Sequence, residues 1–86
     1  MTVQEFIEKN NNDANQIISQ FGKIIYYLRP FGVILKGVLT GLAQKENYPI
    51  FSVNHLLYAE HIFETEEEGK TFVQNTQKRE NKRRNL

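Results

Sequence analysis

The chain has 86 residues, a net charge of +1, 40% hydrophobic residues and no cysteine. Its length allows one small domain, which buries only about 60–65% of its unfolded surface and therefore has a thin core. The missing cysteines exclude disulfides, thiolate metal sites and a cysteine nucleophile, so stability must come from packing or from a partner.

The charge is laid out in blocks. Four cations and no acid fall between Ala14 and Lys45, five acids and no lysine or arginine between Glu60 and Glu68, and five cations with one acid between Lys78 and Arg84. Blocks of this kind face partners, lipids or one another. The first 16 residues carry Glu5, Glu8 and Asp13. They match neither a secretory signal nor an Arg-rich transit peptide, and the chain is expected to need no processing.

In chain order, Thr2-x-x-Glu5 has the form of a capping box and predicts a short helix ending at Asn10-Asn11-Asn12. Asp13-x-x-Gln16 repeats the form. After it Ile17, Ile18, Phe21, Ile24, Ile25 and Leu28 recur at helical spacing. That stripe predicts a helix stopping or kinking near Arg29, because the residue before Pro30 avoids the α region. Pro30 suits the first turn of a further helix with Phe31, Ile34, Leu35, Val38 and Leu42 on its apolar face. Residues 45–49 read as a loop. Ser52 is a candidate cap for a helix carrying Val53, Leu56, Leu57 and Ile62 or Phe63. Thr65-x-x-Glu68 opens a last helix, with Glu66, Glu67 and Glu68 at its positive end and the basic block toward its negative end. Glu66 and Lys70 form a favourable i,i+4 pair. The expected fold is all-α: three to four short helices, broken or kinked at Pro30, and an extended charged C-terminal helix. Residues 1–64 form the helical domain, with an apolar amphipathic segment at 14–45, and residues 65–86 the charged helix or tail.

The apolar run at 26–41 carries most of the functional expectation. Ile24 to Ala43 has the length of a membrane span, but Arg29 and Lys36 would each cost about 2.5–3.5 kcal/mol at the bilayer centre. Docking against neighbouring subunits or a lipid surface suits the segment better. Gly37-x-x-x-Gly41, with Ile34 and Val38, marks the expected helix-packing interface. Lys23, Arg29 and Lys36 are the expected contacts to acidic partners or anionic lipid. Lys78, Arg79, Lys82, Arg83 and Arg84 are the expected tail contacts.

No catalytic, cofactor or metal constellation is legible. His55 and His61 are six apart, whereas zinc-binding helices space histidines by four. The glutamates at 64–68 lack an apolar pocket that would raise a pKa. The expected function is a non-enzymatic accessory or structural subunit of a larger assembly, of the kind found in respiratory-chain or ATP synthase complexes of the mitochondrial inner membrane. The alternatives are a soluble, cytoplasmic helical protein-binding module, and a small nucleic-acid or ribonucleoprotein-associated protein using its basic tail.

Overall fold

The computed structural model describes the backbone of residues 1–84 and the side chains of residues 1–76. Two short helices, α1 (Val3–Lys9) and α2 (Ala14–Ser19), lead into five strands: β1 (Ile24–Arg29), β2 (Val33–Lys45), β3 (Tyr48–Val53), β4 (Leu57–Ala59) and β5 (Ile62–Phe63). A long helix, α3 (Glu66–Arg84), follows. The strands form one antiparallel sheet in the order β4-β3-β2-β1-β5. The all-α expectation is therefore wrong. The centre of the molecule is a sheet.

The helices written in local capping chemistry are present. Thr2 and Glu5 exchange side-chain and backbone hydrogen bonds as a capping box at the start of α1. The Asp13 carboxylate caps α2 by accepting from the Asn15 N–H at 2.9 Å. The Thr65 hydroxyl accepts from the Glu68 N–H at 3.2 Å, and Glu66 pairs with Lys70 as expected. Asn11 and Asn12 both sit in the left-handed region between α1 and α2, a conformation that asparagine tolerates well.

The stripe at 17–28 is two things joined. Ile17 and Ile18 belong to α2, and Gly22, at φ 95°, ends the helical path. Ile24–Arg29 is then a strand in which Ile25 and Tyr27 point inward while Ile24 is exposed. The run Ile-Ile-Tyr-Tyr favours a pleated, half-buried setting over a helix. Pro30 opens a three-residue turn that carries the chain from β1 into β2, with Arg29 opposite Val33. The helix expected after Ser52 is replaced by the end of β3, a turn, and β4 with β5.

Strand β2 is the organiser. Its first part, Val33 to Val38, pairs with β1, and its second, Leu39 to Lys45, pairs with β3. The register slips between Leu39 and Gly41, leaving Thr40 as a bulge. The bulge is fastened to the next turn. Thr40 Oγ1 donates to the Ser52 carbonyl at 3.1 Å and accepts from the His55 N–H at 3.1 Å. Asn54 donates its N–H to the Val38 carbonyl and accepts the Val38 N–H on Oδ1, both at 2.9 Å. Both tight turns use left-handed pairs, Glu46-Asn47 and Asn54-His55, the geometry that matches strand twist. The curl brings β4 round toward β1.

The core lies between one face of this curled sheet and the two N-terminal helices. Phe51, Val53 and Leu39 are fully buried there with Val3 and Phe6, and the Phe6 and Phe51 rings meet edge to face at 5.5 Å. Each such buried side chain contributes about 1.5–3 kcal/mol. The helix α3 covers part of the opposite face. Gly69 lies against Ile34 and Phe63, and the Phe72 ring makes tilted contacts with Phe63 at 5.5 Å and with His61 at 4.8 Å.

The two glycines expected at a helix crossing sit on a strand and play different parts. A Cβ on Gly37 would lie 2.8 Å from Val53 Cγ1 and 3.0 Å from Tyr27 Cε1, whereas a Cβ on Gly41 meets nothing within 4 Å. Gly37→Ala should therefore destabilise by about 1–3 kcal/mol through overpacking. Gly41→Ala should fall within about 0.5 kcal/mol of the parent. Urea unfolding of both variants checks the pair, and equal effects would refute this packing.

Candidate functional site

Among the described residues the expected site residues do not assemble into one surface. Gly37 is buried under Val53 and Tyr27, and Gly41 is open, so they form no helix interface. Ile34 and Val38 are half-buried strand residues, with Ile34 packed against Gly69 of α3. Lys23 is exposed ahead of β1 and donates to Gln20 Oε1 at 3.0 Å. Arg29 ends β1, roughly 20 Å further along the strand. Lys36 is exposed in the part of β2 that pairs with β1, opposite Tyr26. The three cations thus mark separate places. The side chains of Lys78, Arg79, Lys82, Arg83 and Arg84 lie outside the described residues.

The segment expected to lie against a bilayer, 24–43, is the β1–β2 hairpin with the bulge. Among the described residues no helix is long and apolar enough to cross a membrane. The helical form expected for that segment is thereby corrected to a strand hairpin.

Two other features stand out. The first is the edge of the sheet at β4. Among the described residues no strand lies beyond it, and Leu57-Tyr58-Ala59 carries no charge and no proline. Leu56 beside it is 85% exposed and Tyr58 within it 57% exposed. The opposite edge is closed. The Met1 amine donates to the Ile62 carbonyl at 2.6 Å, and the Ile62 N–H donates to the Met1 carbonyl at 3.0 Å.

The second is the tip of the β1–β2 hairpin. Phe31 has φ 66° and ψ 20° and is 101% exposed. A left-handed backbone costs an ordinary residue about 1–2 kcal/mol, and this ring recovers none of it by burial. Two grooves meet at Leu28, Arg29 and Pro30. One, of about 470 Å³, runs between Phe31 and the α3 residues Phe72, Val73 and Thr76. The other, of about 380 Å³, runs along Tyr58, Glu60 and His61. A further cavity of about 370 Å³ lies between the N-terminal helices and the sheet. The ion pair of Lys9 with Glu64 borders it, and the Asn10 amide there is engaged with the Phe6 carbonyl at 2.8 Å, so it reads as a packing seam.

The sequence pointed to Arg29 but not to Phe31, Tyr58 or the β4 edge. Pro30-Phe31-Gly32 is a turn signal, and it was absorbed into the helical pattern around it. Among the described residues no group of three potential ligands could hold a metal ion.

His61 links the edge, the grooves and α3. Burial holds its imidazole below its ordinary pKa, and the nearby Met1 amine adds to the effect, against Glu60 and Glu5. The Met1 amine is itself lowered, chiefly by burial. Glu5 is lowered by its capping bonds to Thr2.

Comparison with known proteins finds no matching family model, no matching curated protein and no matching solved structure. The function must be argued from these surfaces.

The His61 shift has a testable sign. A histidine lowered in the folded state is neutral there while its unfolded form still takes up a proton. Its contribution is present above the ordinary value near 6.5 and is lost as the pH falls toward the folded pKa. The thermal midpoint of the parent should therefore fall between pH 7 and pH 5. His61→Gln should flatten that slope, as differential scanning calorimetry would record. An unchanged slope would place the pH dependence elsewhere.

Proposed function

We propose that the protein is a non-enzymatic structural subunit of a multi-subunit assembly, and that it joins its neighbours by adding a strand at β4. The observation that carries this reading is the asymmetry of the two sheet edges. An open strand edge is a row of unpaired backbone donors and acceptors, and proteins ordinarily blunt it with charge, proline, a bulge or a cover. Here the β5 edge is covered by Met1, while β4, short as it is, shows none of these devices among the described residues.

The side chains around β4 support the same reading. Leu56 and Tyr58 add exposed apolar and aromatic surface where a neighbouring strand would lie. A second copy is the simplest neighbour. Two β4 strands set antiparallel about Tyr58 would place Tyr58 against Tyr58 and Leu57 against Ala59, with no like charges opposed. Aromatic and apolar cross-strand pairs each contribute about 0.2–1 kcal/mol. A chain with so thin a core also gains stability from association.

Light scattering on the purified chain tests the proposal. The wild type should run at twice 10.1 kDa or more, and Tyr58→Lys should return it to 10.1 kDa while remaining folded by circular dichroism. A wild type that stays at 10.1 kDa at every concentration would refute self-association through β4.

A further inference from the structure

We infer that the groove between the β1–β2 hairpin tip and α3 binds single-stranded nucleic acid, with a base stacked on Phe31 and a phosphate met by Arg29. This surface does not use the β4 backbone edge, although Arg29 also borders the groove that runs along Tyr58.

The first support is Phe31 itself. Its ring is 101% exposed on a backbone at φ 66°, a position where glycine or asparagine would be easier to hold. The fold makes no use of the ring. A flat aromatic face held clear of the body is the element that single-strand binders offer to unpaired bases, whose every type presents a π-face.

The second support is charge. Among the described residues Arg29 is the one charged residue lining this groove, and no carboxylate lines it. Phe72, Val73 and Thr76 supply its other wall, so a base entering beside Phe31 meets apolar surface. That wall belongs to a helix whose backbone continues to Arg84. Over Lys78 to Arg84 the sequence carries five cations and one acid. From the other direction the β1–β2 hairpin belongs to the acid-free stretch between Ala14 and Lys45. Among the described residues the acids nearest this groove lie elsewhere: Glu60 lines the neighbouring groove, and Glu66, Glu67 and Glu68 stand at the far end of α3. Duplex nucleic acid fits less well, because its bases are already stacked and have no free face for Phe31.

Fluorescence anisotropy with labelled twelve-nucleotide RNA and DNA single strands, and a duplex of equal length, tests this on the full chain. Single strands should bind more tightly than the duplex at about 50 mM salt and weaken as salt rises. Phe31→Ala should weaken single-strand binding about 5- to 150-fold, the range that one stacked base supplies, with an unchanged or raised unfolding midpoint. Phe31→Trp should retain binding. Arg29→Gln should reduce the salt slope by about 0.7, the value for one phosphate on a single strand. Three results would overturn the inference: no binding of any oligonucleotide, equal affinity of the parent and Phe31→Ala, or binding lost only in Arg83→Ala with Arg84→Ala. The last would assign the contact to the tail alone.

Discussion

Leu39 to Gly41 is where β2 changes partners, and the rest of the structure depends on that change. Before it β2 pairs with β1, and after it with β3. The extra residue, Thr40, bends the strand, and its hydroxyl ties the bend to the β3–β4 turn through Ser52 and His55. Asn54 ties the same turn back to Val38 from the other side. Gly37 lies just ahead, and only the absence of a side chain lets Val53 and Tyr27 close over it. A flat sheet would leave β4 far from β1. The bent one brings Tyr58 to His61 beside Arg29 and Pro30.

The curl also decides what each face does. The face turned toward α1 and α2 holds the buried cluster around Phe51, Val53 and Leu39. The other face is covered only where α3 lies, through Gly69 and Phe72. Among the described residues the surface left open lies at the margins: the β4 edge and the hairpin tip. His61 stands between them, half-buried, with Phe72 on its ring and the Met1 amine near enough to disfavour its proton. The N-terminus thus does two things at once. It covers the β5 edge, and it helps keep neutral a histidine on the groove wall.

What was legible in the sequence was local chemistry. Thr2, Asp13 and Thr65 declared three helix starts, and each is a helix start. The sheet was hidden because Ile17 and Ile18 from α2, Phe21 from the turn after it, and Ile24, Ile25 and Leu28 from β1 combine by chance into one helical period. Alternation, the signal that reveals a strand, is blurred in β2, where a bulge resets the face and α3 half-covers the outer side. Gly22 and the β-branched and aromatic run after it were the corrective signals. The site was harder still. Arg29 could be chosen for its charge, but Phe31 looked like one more apolar residue on a helix face. An open sheet edge has no signature of its own, since it depends on which strands the fold leaves without a neighbour.

The central claim is that β4 awaits another strand. Hydrogen–deuterium exchange of the Leu57, Tyr58 and Ala59 amides, followed against protein concentration, tests it most directly. The account predicts that β4 amides not bonded to β3 exchange quickly in dilute solution. They should become protected as the concentration rises, while protection of Phe51 and Val53 stays constant. Fast exchange of those β4 amides at every concentration would contradict it.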